Sequence, residues 1–510
     1  MTWDNSAITI TTFLPIVGAL VILLVPASQD RLVRGLGIAV TGVALVFAAV
    51  LALGFDYGTD GLQFVLDVRW IDAIGARYHV GIDGISMPLY VLTYLLSFLC
   101  AIYTWRYVPP PGRTKAFIAL MLLLETGMAG TFIAFDLILF FVFWELVLVP
   151  MYFLIGIWGS ANREYAAIKF FLFTLFGSIF MLLGFLGMYF RGPDPRTFDI
   201  LKLQEFAQGG GFTDGFQLVV FGAVALGLAV KVPMWPVHTW LPDAHTEAPT
   251  IGSVLLAGIM LKMGTYGFIR IALPLLPYGA QKYAPWIGLL AAIAIVYAAL
   301  ACLAQKDLKR LIAFSSVGHM GFVMLGIATM TEIGIQAAIF GMVAHGVITG
   351  MLFFIVGSVY DRYHTREIAV IGGGMSQTMP KMAGIFAFVS IASLGLPGLA
   401  GFWGEVMALL GSFSPNEALG LDVGLYRIFM VLGGIGTVLT AGYFLWMLQR
   451  INMGTLPERW SDSGFRDILV VEWVAWVPLL TLTLVLGLFP RLIFGMTDEA
   501  VAGLMSFFGG

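Results

Sequence analysis

The sequence predicts an all-α polytopic membrane protein of about fourteen transmembrane helices, and three observations predict it. Apolar residues make up 59% of the 510 and charged residues 11%, with a mean hydropathy of +0.93, a balance that leaves no polar surface for a water-soluble domain. The apolar residues fall in runs long enough to cross about 30 Å of hydrocarbon at about 1.5 Å per residue. Two of these runs carry prolines beside an ionisable residue, and membrane helices with such interruptions mark ion paths.

Taken in order, the runs lie at 8–25, 33–53, 85–105, 116–134, 137–158, 166–190, 217–240, 251–273, 284–304, 311–330, 335–359, 382–411, 428–448 and 468–489. No Lys or Arg precedes the first, whereas a cleaved leader has a basic head, so 8–25 is expected to stay as a first span. An even number of crossings puts both termini on one side. Lys and Arg number 16 in the loops after odd-numbered spans and 9 in the others, and Lys231 and Lys262 inside spans complete the 27. Positive residues collect on the cytoplasmic face. Both termini are therefore expected on the external, periplasmic side of a cell inner membrane, with the two longest polar loops, 54–82 and 191–216.

Composition also excludes function classes. A net charge of −3 with no basic stripe argues against nucleic acid as a partner. Cys100 and Cys302 both lie in apolar segments and are too few to hold an iron–sulfur cluster, which takes about four ligands. Redox chemistry is expected in other chains. Gly372 to Gly374 is a glycine run without the Lys-Ser/Thr of a phosphate loop, so ATP-driven transport is not expected here.

The charges left inside spans are then the informative residues. Lys231 is followed by Pro233 and Pro236, and Lys262 stands well inside the run that starts at Thr250. A buried ammonium is expensive in hydrocarbon, so both lysines are expected to face a protein interior or a water-filled path, with a proton that a nearby carboxylate stabilises or releases. Glu145, in the same stretch of five spans, is the natural partner for Lys231. Glu125 and Glu405 are further span carboxylates, and His319 and His345 lie in neighbouring spans between Lys262 and Glu405, where imidazole accepts a proton on one nitrogen and donates from the other. Asp136 and Lys169, near span ends, read as interfacial residues. His238, Asp243 and His245 are too few for a closed metal site, which wants about four ligands. No metal is expected.

A second break strengthens the pattern. In SLGLPGLAGFWGE, Pro397 stands between Gly395 and Gly398, so the helix ahead of Glu405 loses its ladder. The first break falls in the fourth of spans 4–8 and the second in the fourth of spans 9–13, which points to two inverted five-helix repeats. The expected organisation is three helices with an external loop over 1–115, five-helix half-channels over 116–273 and 284–450, and a last helix and tail over 451–510. Glycine and proline that merely allow close helix packing are the other reading.

The segments KVPMWPVHTWLPDAHTEAPTIGSVLLAGIMLKMGTYGFIR, DLKRLIAFSSVGHMGFV, FFVFWELVLVPMYFLIGIWG and LPGLAGFWGE resemble the antiporter-like membrane subunits of respiratory complex I, in their subunit 4 type. The resemblance spans nearly the whole chain. It implies a proton-translocating subunit without a redox centre, working beside sister antiporter-like subunits and lipids, with FMN, iron–sulfur clusters and quinone held by partner subunits. It also implies Glu145 with Lys231 as a charge pair, Lys262 as the central lysine, His319 and His345 on a connecting axis, and Glu405 as terminal acid. A subunit of a multisubunit sodium/proton antiporter and a purely structural membrane subunit are the alternatives.

Overall fold

A computed structural model describes residues 3–508, so the last two residues of the C-terminal segment 451–510 lie outside the described residues. Thirteen of its helices are long and apolar enough to cross a membrane. The run expected at 382–411 is split between two shorter helices, Pro380–Ser393 and Gly401–Phe413, which together make one further broken crossing. Gly395 and Gly398 between them have φ of +81° and +92°, a conformation that a side chain on Cβ would resist. The backbone freed by the break is satisfied from outside: Ala400 N–H donates to the Thr483 carbonyl at 3.0 Å, in the helix Val470–Leu488.

The other break corrects the sequence reading. The run expected as one span over 217–240 is a helix only from Asp214 to Lys231, followed by turns and the short helix Trp240–Glu247. Pro233 and Pro236 lack the N–H groups that would continue the ladder. Lys231 is thus the last residue of a helix, not a mid-span residue.

Burial sorts the bundle into centre and rim. Thr250–Leu275, Leu308–Ala328 and Glu332–Tyr363 are almost wholly enclosed by protein, whereas Asp30–Leu53, Arg163–Arg191 and Val423–Ile451 turn apolar side chains outward as lipid-facing helices do. Charge follows the same division, since Lys262 and His345 belong to the central helices.

The polar connections have structure of their own. The loop 54–82, expected only as a long polar connection, contains an antiparallel pair of strands, Gln63–Ile71 and Ala76–Ile82. His79 Nδ1 lies 2.8 Å from Asp199 Oδ2, joining the hairpin to the loop that follows Arg191, and Asp199 also accepts the Lys202 N–H at the start of the helix Ile200–Gln208. Asp136 caps the helix Leu137–Leu146 and accepts the Arg77 N–H at 3.0 Å. Loops after even-numbered crossings therefore meet one another. Loops after odd-numbered crossings do the same around Lys306–Leu308 and Arg366–Ile368, where Leu308 N–H donates to Arg366 and Ile368 N–H to Lys306. The C-terminal tail forms a helix, Arg491–Met505, tied to Gln336 of the central helix through Asp498 and Thr497.

Burial pushes the Asp199 carboxyl up, but the hydrogen bond to His79, the Lys202 N–H and the nearby positive charge outweigh it and hold the group below its ordinary value of 3.8. A lowered folded value means that this contact stabilises above the ordinary carboxylate range and fades as pH falls through the folded value. Asp199→Asn is expected to loosen the hairpin by about 1–2 kcal/mol at neutral pH, read as faster hydrogen exchange over 63–82. Unchanged exchange there would remove this pair as the hairpin's anchor.

Candidate functional site: a buried line of ionisable groups

The helix Thr250–Leu275 is interrupted by two π turns, Leu256–Met260 and Phe268–Ala272. In the first, Leu261 N–H donates to Leu256, five residues back. The Ala257 carbonyl, which an α-helical Leu261 would have used, accepts instead from the Lys262 amine. A π turn next to a functional group is a recurrent device, because it aims a carbonyl and a side chain that a regular helix would bury in its ladder.

Lys262 is 0% exposed, and its Nζ lies 2.6 Å from His345 Nδ1. His345 comes from the long central helix Glu332–Tyr363, and its ring centroid is 5.7 Å from that of His319 on the helix Leu308–Ala328. His319 has both nitrogens engaged, Nδ1 with Glu405 Oε1 at 3.1 Å and Nε2 with Ser393 Oγ at 3.0 Å. Four of the residues singled out in the sequence thus form one line, Lys262, His345, His319 and Glu405, contributed by four different segments. Ser393 was not foreseen; it closes the helix on the near side of the second break, so the break itself positions a partner for His319.

Between the two histidines lies a small cavity of about 30 Å³, lined by His319, His345, Thr349, Ser393 and Glu405. A site of that size takes about two waters. Three atoms of its lining residues, His345 Nε2, Glu405 Oε2 and Thr349 Oγ1, have no protein partner. Buried polar atoms are normally hydrogen-bonded, so these three call for water, and water there would join the direct Lys262–His345 contact to the direct His319–Glu405 contact. Gly395 permits this crowding, since a Cβ on it would lie 3.0 Å from Glu405 Oε2.

The first pair is arranged differently from the sequence expectation. Lys231 is 2% exposed and forms no ion pair with Glu145; its amine lies 4.8 Å from the centroid of the Trp144 ring instead. The Trp144 indole N–H donates to Ser178 Oγ at 2.9 Å. Glu145, half-buried, interacts with Lys231 only through space. The aromatic face gives the ammonium a partner that does not neutralise it. No hydrogen bond joins Lys231 to Lys262, though their segments pack closely: a Cβ on Gly264 would lie 2.8 Å from Val232.

Other buried ionisable groups stand outside the line. Glu125 is 0% exposed and neither oxygen has a partner, and His245 stacks on Phe353 with both nitrogens free. Lys309, counted above as a loop residue, is 5% exposed and donates to the Ala248 carbonyl. Its burial was illegible because it sits just ahead of the apolar run at 311. His238, Asp243 and His245 do not converge as metal ligands, for Asp243 is taken by Lys169 at 2.6 Å and Arg310 at 3.3 Å.

A bundle of apolar helices broken beside lysine and glutamate, with protonatable side chains lined up through its interior, defines the class of ion-translocating membrane proteins. The family described as NADH:quinone oxidoreductase/Mrp antiporter, transmembrane, matches residues 134–431, and the chain belongs to it. It is 42% identical to NADH-quinone oxidoreductase subunit M of Rhodobacter capsulatus, over 98% of this chain and 96% of that one. NADH-ubiquinone oxidoreductase chain 4 of Arabidopsis thaliana is 38% identical over 96% and 95%. Among solved structures, respiratory complex I from Thermus thermophilus with bound NADH contains a chain that superposes with a TM-score of 0.86 at 29% identity, covering 99% of this chain and all of that one. The Mrp complex from Dietzia sp. DQ12-45-1b shares the fold at a TM-score of 0.83 and 22% identity, over 99% of this chain and 98% of that one. The family resemblance read from the motifs is borne out.

Gly404 brings the helix of Glu405 against the central helix, and a Cβ there would lie 2.7 Å from Gly341 Cα. Gly404→Ala is expected to force the backbones apart and cost about 1–3 kcal/mol, seen as a lower thermal midpoint in detergent. An unchanged midpoint would contradict this packing.

Proposed function

We propose that this chain is a proton-translocating membrane subunit of NADH:quinone oxidoreductase, in which electron transfer in partner subunits drives protons through Lys262, His345, His319 and Glu405. The observation that carries the reading is the near-continuous line of these four side chains, running from the π turn beside Lys262 to the helix break ahead of Glu405. Iron–sulfur clusters belong to the partner subunits, because the two cysteines of this chain, both free and buried, are too few to hold one, and FMN and quinone are assigned to the same partners. The neighbours within the membrane are further antiporter-like subunits and lipids. The chain sits in the cell inner membrane with both termini outside, and 116–273 and 284–450 act as inverted five-helix halves.

In this mechanism the Glu145–Lys231 separation is the variable that partner subunits change. Bringing the carboxylate toward the ammonium, or letting Lys231 fall back on Trp144, alters the positive potential felt by Lys262. A proton leaves Lys262 for His345 Nδ1 across their direct contact, passes from His345 Nε2 through water in the cavity and the Ser393 hydroxyl to His319 Nε2, and reaches Glu405 Oε1 from His319 Nδ1. Each transfer makes one N–H or O–H bond as it breaks another. Moving one charge outward against the membrane potential costs about 2.3 kcal/mol per 100 mV, within reach of rearranging a partly desolvated charge pair.

The family description covers Mrp antiporters too and the Mrp complex shares the fold at 22% identity, but a sodium/proton antiporter takes second place to the reading supported by relatives matched over nearly the full length at about 40% identity. Lys231→Ala and Glu405→Ala are each expected to lower NADH-driven proton pumping and coupled quinone reduction by about tenfold or more in the assembled complex. Unchanged rates and stoichiometry would overturn the assignment of these residues.

A further inference from the structure

On the face that carries the loops after odd-numbered crossings lies a recess of about 650 Å³. Its rim is charged, but the rim charges are already partnered. Arg106 pairs with Asp361 at 3.1 Å and with Glu472 at 2.8 Å, Arg366 pairs with Asp307 at 3.4 Å, and the Glu247 carboxylate accepts the Asn162 N–H at 3.0 Å.

Two further cations of the recess, Arg163 and Lys309, form no ion pair with any described residue; Arg163 donates to the Ile157 and Gly159 carbonyls and is half-buried, whereas Lys309, in the wall, is 5% exposed. The Lys309 amine is held by one backbone carbonyl, that of Ala248. Nothing there fixes a permanent charge, while a recess of this volume holds many waters. Thr250 and Ile251 line the recess too, and they begin the helix that carries Lys262. Inward of Lys309, His245 is fully enclosed with both nitrogens unpartnered, and it interacts electrostatically with both Lys309 and Lys262. The charged groups facing Lys309 are Glu247 and Asp307, which favour its protonated form, and Arg366, which opposes it.

We propose that Lys309 is the intake residue of the proton path, taking protons from water in this recess and handing them inward toward Lys262. The assignment rests on the function proposed above and adds the residue at which that path opens to solvent. In the intake step an N–H bond forms at Lys309 Nζ as a hydronium ion in the recess becomes water. The same number of N–H bonds is restored when one proton leaves inward, so no further reactant is consumed.

The test uses Lys309→Cys in the assembled complex in inverted membrane vesicles, where the cytoplasmic face meets the medium, with the native complex treated alongside. Proton pumping is expected to fall about tenfold. An aminoethyl thiosulfonate, which rebuilds a lysine-like amine on the cysteine, is expected to restore at least about half of the native rate, and the membrane-impermeant trimethylammonioethyl reagent, which restores the charge without a transferable proton, to restore none. A purely structural lysine would be served by the fixed positive charge as well as by the amine, so equal restoration by the two reagents would overturn the proposal. The proposal is overturned if the variant pumps normally, if neither reagent reaches Cys from this face, or if aminoethylation leaves pumping low. Should Lys309→Cys pump normally while Lys231→Ala and Glu405→Ala do not, the intake residue is wrong and the function stands; should all three pump normally, both fall.

Discussion

An amine enclosed at the centre of an apolar bundle needs partners, and the helix that carries Lys262 supplies one by giving up its own regularity. The π turn at Leu256–Met260 frees a carbonyl within reach of Nζ, and His345 of the adjacent central helix supplies the second contact at 2.6 Å. Neither partner is an anion. The ammonium is held without being neutralised, which leaves its proton available at small energetic cost compared with a buried lysine–carboxylate pair. The arrangement of the second half follows from this, because His345 must be fixed while its far nitrogen opens onto the cavity shared with Glu405.

Helix breaks serve the same end. A regular helix buries its polar backbone in its own ladder, so only an interrupted one can place carbonyls, N–H groups and capping side chains in the interior. The break after Lys231 ends a helix at a cation, and the break at Pro397 sets Ser393 and Glu405 on either side of His319. The glycines at 395 and 404 allow a carboxylate and a backbone to approach where side chains would not fit, and Gly395 and Gly398 hold the left-handed backbone of the break. Outside the bundle, the hairpin of 63–82 and the His79–Asp199 contact tie the loops after even-numbered crossings together, so the crossings are joined at their ends as well as along their lengths.

Much of this was legible in the sequence, for physical reasons that also mark where legibility ended. Apolar length and proline act locally, so the crossings, both breaks and the ionisable residues inside the spans, four of which the structure lines up, were readable from composition and spacing. Contacts between distant segments were not. The π turns have no local signature, since the Ala257 carbonyl finds Lys262 only once the central helices pack. Glu145 was expected against Lys231, but the lysine rests on Trp144, one residue away, because an aromatic face also attracts an ammonium, without neutralising it, and sequence gives no means of choosing between the two. Lys309 looked like a loop residue because span ends are uncertain by a few positions, and its enclosure is made by Ala248 from a different part of the chain.

The central claim is that Lys262 and Glu405 communicate through the two imidazoles. It is tested most directly by His345→Leu, which removes the group between Lys262 and the cavity while keeping a side chain of similar bulk. Protons moved per electron pair, measured with a pH-sensitive dye in vesicles driven by NADH, are expected to fall for the assembled variant. A stoichiometry equal to that of the unaltered complex would contradict the path described here.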